Sequence, residues 1–195
     1  MADFLKAQDH FLPSDRFGYQ NQNSHSAIVI HKTAGDATPQ AVVNTFLATG
    51  KSVHYVVGQD GSVWQLIPEV NGAGGNCCAD DSHDSFWNPY ITKYGNLNFC
   101  TISIEHCDPA SDNSTPLTPA QQEASFELIQ FLMHKYSIPR TAVKGHNTID
   151  RTICPGNYPW HALDLFLQQQ QPYSVAVPRA LIDELIAVLQ KFQKL

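Results

Sequence analysis

The chain has 195 residues, 43% of them hydrophobic and only 15% charged, with 12 Pro, 11 Gly and a formal net charge of -6. That length supports one substantial core with appendages rather than two domains, and the composition is that of a loop-rich globular chain, not a disordered one. The acidic balance excludes partners held by general electrostatic attraction, such as nucleic acid or an anionic membrane surface.

The opening MADFLKAQDH lacks a charged n-region, an apolar core and a small-residue cleavage site, and no apolar run approaches the roughly 20 residues of a spanning helix. The chain is therefore expected to be made in the cytoplasm without an export signal and to have no integral membrane segment. Its five cysteines, Cys77, Cys78, Cys100, Cys107 and Cys154, form an odd set without repeated spacing, so reduced thiols are expected. The first four read as small buried hydrophobes.

Residues 1–25 mix polar and aromatic residues around Pro13 and Gly18 and read as an irregular segment. Ser26 to His31 is a β-branched apolar run short enough for a buried strand, and it ends on a histidine. Thr38-Pro39 then signals a helix start and Gly50 its stop, with Val42, Val43, Phe46 and Leu47 on one face. Val53 to Val57 and Ser62 to Ile67 are β-rich runs joined by Gly58-Gln59-Asp60-Gly61, an Asp-Gly hairpin signal.

Residues 68–98 show neither period, and so long a loop within a compact domain reads as a functional, substrate-side wall. Phe99 to Ile104 is a third buried strand with Glu105 and His106 at its exit. Thr118-Pro119 opens a long helix to about Ser137, with Phe126, Ile129, Leu132 and Met133 at core spacing. A short strand over Ala142 to His146 leads into GHNTIDRTICPG, and a helix is expected over Pro159 to Leu167. Beyond a boundary at Gln168 to Pro172, Pro178 to Leu195 reads as an amphipathic helix. There are no internal repeats.

Chemistry concentrates at the strand exits. Catalytic zinc uses three imidazole, thiolate or carboxylate ligands and keeps a position for water; His31, His146 and Cys154 can supply such a set from separate strands. Glu105, also at a strand exit, can take a proton from the attacking water and deliver it to a leaving amine. That combination is suited to amide hydrolysis.

In the same order, IVIHKT, HYVVGQDGSVWQLIPE, TISIEHCD and GHNTIDRTICPG resemble the motifs of type 2 N-acetylmuramoyl-L-alanine amidases, which share a fold with peptidoglycan recognition proteins and several phage endolysins. The resemblance covers roughly residues 24 to 167. It implies an α/β fold, a mixed central β-sheet flanked by helices, with Zn2+ held by His31, His146 and Cys154 and Glu105 as general base. The organisation becomes an N-terminal segment (1–23), a catalytic domain (24–171) and a C-terminal helix (172–195).

Three departures from the family pattern bear on the site. Many members have lysine two residues before the third ligand; here it is Thr152, whose hydroxyl is the candidate oxyanion donor, with Arg151 as a neighbouring charge. Some have tyrosine where Val53 stands. Relatives often read Ala-Trp-His-Ala-Gly where this chain has GAGGN (72–76), which leaves Trp64, Phe86, Trp87 and Tyr90 as candidate aromatic surfaces. Trp64, Trp87 and His54 are taken as substrate contacts, although His54 and His106 also read as supporting residues flanking the site. Asp150 and Arg151 read as loop scaffolding.

The expected substrate is peptidoglycan or muropeptides, cleaved between N-acetylmuramic acid and L-alanine, as in an endolysin or cell-wall lytic enzyme that acts after release, or in a recycling enzyme that acts on cytoplasmic muropeptides. The rival expectation is a non-catalytic peptidoglycan-binding module of the same fold. Such modules typically lose a zinc ligand, and here all ligand positions are filled.

Overall fold

A computed structural model describes residues 2–76, 79 and 83–169. In chain order the strands are β1 (Ala7–Asp9), β2 (Gly18–Tyr19), β3 (Ala27–Lys32), β4 (Tyr55–Val57), β5 (Val63–Gln65), β6 (Gly72–Ala73), β7 (Thr101–His106) and β8 (Val143–Gly145). The helices are α1 (Ser14–Phe17), α2 (Pro39–Thr49), α3 (Asn88–Tyr94), α4 (Pro119–Tyr136) and α5 (Trp160–Gln169). Six strands form one mixed sheet in the order β1-β5-β4-β7-β3-β8, and β2 pairs with β6 separately.

The centre of the sheet is parallel: β7 pairs with β4 on one side and β3 on the other, and β3 pairs with β8. Among the described residues of this sheet, only β4 and β5 run antiparallel, as their hairpin connection demands. All residues of β3 and β7 are buried, as expected of strands covered on both faces. Ile28, Ile30, Ile102 and Ile104 join Phe126, Ile129 and Leu132 of α4 and Leu163 of α5 in one core. Val56, Leu66 and Cys107 join Val42 and Phe46 of α2 in a second. Alternation along β4 sends Tyr55 and Val57 into the first core and Val56 into the second.

The helix starts follow the local chemistry. The hydroxyl of Thr38 accepts from the amide of Ala41 and that of Thr118 from the amide of Gln121, each with Pro in the next position. Gly50 closes α2 at φ 73, a left-handed conformation that glycine adopts without strain. In the hairpin, Asp60 accepts from the amide and hydroxyl of Ser62.

Two parts of the sequence reading change. The N-terminal segment is not wholly irregular: Ala7–Asp9 adds a parallel edge strand to β5, and Asp3 accepts from the side chain of Gln65. A three-residue strand is too short to show a period, so only its partner reveals it. The 68–98 stretch also contains α3, whose Pro89 and following Gly95 are ordinary start and stop signals around a helix of only seven residues. The expected helix over 178–195 and the pair Cys77-Cys78 lie outside the described residues.

Candidate active site

The parallel register places His31 directly opposite Glu105 at the carboxyl ends of β3 and β7. Both lie on the face away from Ile30 and Ile104, because each follows one of these core residues by one position. His146 begins a single 3-10 turn just beyond β8, on the other side of β3. Cys154 is brought back to it by a closed loop, in which the amide of Asn147 donates to the carbonyl of Cys154 at 2.7 Å. All four residues line one pocket of about 300 Å³, together with Lys51, Val53, Gly75, Asp36 and Thr152.

One ligand atom from each of His31, His146 and Cys154 lies within 4.8 Å of the other two. The Sγ of Cys154 is 3.9 Å from Nδ1 of His31. Each histidine is held from behind. Asn76 Oδ1 is 2.6 Å from His31 Nε2, while the amide nitrogen of Asn76 donates to the hydroxyls of Thr101 and Ser103. Asp150 Oδ2 is 3.0 Å from His146 Nε2. Both acceptors place the proton on Nε2 and leave Nδ1 as a lone-pair donor, the arrangement by which outer groups orient metal-binding imidazoles.

Electrostatics agree with a ligand set. Burial pulls the pKa of His31 well below its ordinary value, with His146 adding to the effect, and burial also lowers His146 against the opposing pull of Asp150. Both imidazoles are thus kept neutral, as ligation requires. Burial pushes the Cys154 thiol up to about 12, so the bare site holds a thiol that a metal ion would deprotonate. Burial, with the negative charge of Asp36, raises Glu105 to about 8, while Lys51 pulls it down. Two imidazoles and a thiol converging in one pocket fit a catalytic zinc site, a three-ligand set that leaves a position for solvent or substrate.

The residues expected to touch substrate fare differently. Trp64 is not in this pocket: it lies on β5, two strands from β7, stacked on His10 with ring centroids 3.6 Å apart. Trp87 is fully buried, its Nε1 donating to Thr148 Oγ1 at 3.0 Å, so it supports the turn that carries His146. His54 is also fully buried; its Nδ1 accepts from the amide of Ser103 and its Nε2 donates to the carbonyl of Asn71. Trp87 and His54 spend their polar ends inside the protein, and the Trp64 ring stacks away from this pocket. Phe86 and Tyr90 pack against the core beside Trp87. His106 is joined to the carbonyl of His31 and to Ser125, which in turn meets Tyr158.

Thr152 lines the pocket, and its Oγ1 accepts from the amide of Cys154 at 3.2 Å; Arg151 is not among the lining residues. Asp150, whose sequence position suggests loop scaffolding, instead backs His146 at a four-residue spacing, and two further residues have no role assigned from sequence. Asn76 and Lys51 carry no local signal, since both stand in short loops and reach the site only through the fold.

A mixed sheet thus gathers two histidines, a cysteine and a buried carboxylate at its parallel strand ends, a donor set that could hold a metal ion. The sequence profile of the N-acetylmuramoyl-L-alanine amidases matches residues 21–157, and the chain belongs to that family, the type 2 amidases. No curated protein sequence matches the chain.

Solved structures agree on the fold. The N-acetylmuramoyl-L-alanine amidase LysC from Clostridium intestinale URNW aligns with a TM-score of 0.61 at 22% identity, over 83% of this chain and 97% of that one. The Ph2119 endolysin of Thermus scotoductus MAT2119 bacteriophage Ph2119 aligns at 0.56 and 20% identity, covering 81% and 97%. A mutant endolysin from Bacillus subtilis aligns at 0.52 and 20% identity, covering 86% and 96%.

Proposed function

We propose that this chain is a zinc-dependent N-acetylmuramoyl-L-alanine amidase, hydrolysing the amide bond between N-acetylmuramic acid and L-alanine in peptidoglycan or its muropeptide fragments. The observation that carries the reading is the convergence of His31, His146 and Cys154 within 4.8 Å of one another, in the same pocket as the buried Glu105. These three residues would hold the zinc ion, which when bound supplies Lewis acidity toward a water and the scissile carbonyl.

The rest falls to the protein. Glu105 accepts a proton from the attacking water and returns it to the alanine nitrogen as the C–N bond breaks. Burial and the charge of Asp36 raise the Glu105 carboxyl above its ordinary value, which makes it a stronger base toward the attacking water. The hydroxyl of Thr152 accepts from the Cys154 amide and keeps its own hydrogen to donate to the carbonyl oxygen. A non-catalytic binding module needs neither Glu105 nor a full ligand set, and the presence of all four favours hydrolysis. The biological role we read is that of an endolysin or cell-wall lytic enzyme, made in the cytoplasm and acting on the wall after release; two of the similar structures are named endolysins.

The test is digestion of purified peptidoglycan by the zinc-loaded protein, with mass analysis of the products. Free lactyl carboxylates on the glycan and free L-alanine amino termini on the peptides are expected. Glycan-peptide linkages left intact would overturn the reading.

A further inference from the structure

Amide hydrolysis places a negative charge on the scissile oxygen, and donors or charges aimed at that oxygen lower the barrier. Two cations line this pocket, Lys32 and Lys51. Lys32 is spent: its ammonium is buried against Asp108 at 2.7 Å and donates to the carbonyls of Asn113 and Thr115 and to Asn157. Lys51 is exposed and makes no hydrogen bond or ion pair among the described residues. It follows the Gly50 cap of α2 and precedes Ser52 and Val53, which line the same wall. It shares that pocket with His31, His146 and Glu105, and its charge acts on all three. The only neutral side-chain donor read for the oxyanion, Thr152, carries no charge to match it.

We propose that Lys51 is a catalytic residue whose ammonium stabilises the oxyanion formed at the scissile carbonyl, a role that rests on the amidase reading above. In the step it serves, the water oxygen bonds to the carbonyl carbon, the π pair moves to the carbonyl oxygen opposite Lys51, and the water proton goes to Glu105. Collapse of the oxyanion then expels the alanine nitrogen, which takes that proton. A role for Lys51 in anchoring a substrate carboxylate is less favoured, because Asp36 lines the same pocket and repels one.

The experiment compares wild type, Lys51→Met, Lys51→Arg and Lys51→Ala on soluble muropeptides, with zinc content and circular dichroism measured on each. Lys51→Met should lose about 100-fold in kcat with KM within a few-fold, the size of effect seen when one oxyanion donor is removed. Lys51→Arg should recover part of the loss, and added ethylammonium should raise the rate of Lys51→Ala but not of wild type. Wild-type kcat in Lys51→Met overturns the proposal, and so does a raised KM at constant kcat. If wild type itself leaves the lactyl-alanine bond intact, the amidase reading fails first; active wild type with indifferent Lys51 variants removes Lys51 alone.

Discussion

The side-chain oxygen of Asn76 sits 2.6 Å from Nε2 of His31, and because the Asn76 amide nitrogen is committed to Thr101 and Ser103, the proton in that contact belongs to the histidine. Asn76 thereby fixes which nitrogen of His31 faces Cys154. Substituting it with leucine should weaken zinc binding about 10- to 100-fold, the usual cost of losing an outer partner of a metal-binding histidine. Asn76→Asp, which keeps an acceptor, should retain more affinity. Chelator competition measures both, and nitrogen NMR of the metal-free protein should report an Nε2-protonated His31; an Nδ1-protonated ring would refute the assignment.

Asp150 does for His146 what Asn76 does for His31, but with a charge and half exposed to solvent. Asp150→Ala should cost about tenfold in zinc affinity, and Asp150→Asn less, since the amide oxygen can still accept. Indistinguishable affinities in all three proteins would return Asp150 to a purely structural role in its loop.

Glu105 separates chemistry from binding. Glu105→Gln keeps the shape and removes the base, so turnover should fall by at least about 100-fold. Zinc stoichiometry should stay at the wild-type value, because Glu105 is outside the ligand set. Retained turnover would take proton transfer away from Glu105.

Stability of the metal-free protein should depend on pH through buried histidines. Burial holds His54 and His106 near about 4, against an ordinary value of 6.5. Between these values the unfolded chain binds protons that the folded one refuses, so their contribution is complete above 6.5 and is lost as pH falls toward 4. Glu105, raised to about 8, works the other way, binding its proton more tightly when folded. The urea midpoint of metal-free Glu105→Gln should therefore fall more steeply from pH 7 to pH 5 than that of the metal-free wild type. Parallel curves would contradict the assignment.

Trp87 and Trp64 should part company. Trp87→Ala removes a fully buried indole and should cost about 3–5 kcal/mol in urea unfolding. Trp64→Ala, on a half-buried ring stacked on His10, should cost less and leave KM for muropeptides unchanged. A raised KM in the latter would restore Trp64 to the substrate path.

Where the sequence carries a period or a cap, fold and site are legible. Thr38-Pro39, Thr118-Pro119 and the Asp60-Gly61 hairpin appear where their chemistry puts them. His31, Glu105, His146 and Cys154 are recognisable because strand exits and ordered motifs place them. What escapes is whatever depends on a partner distant in sequence. The β1 edge strand needs β5, Asn76 needs His31 across 45 positions, and the burial of Trp87 needs the His146 turn. Aromatic residues in a long loop look alike in sequence whether they face solvent or their neighbours, and the structure turned Trp87 inward.

Lys32 follows His31 in β3, and its ammonium grips Asn157, three residues past Cys154, while its own amide donates to the Cys154 sulfur. One dipeptide thus furnishes a ligand and clasps the loop that furnishes another. Covalent neighbours and an internal ion pair thus hold the donors together, so metal loading should be a local exchange rather than a folding event. The protein stripped by a chelator should keep its circular dichroism spectrum and accept cobalt in place of zinc within mixing time, offering a coloured reporter of the site.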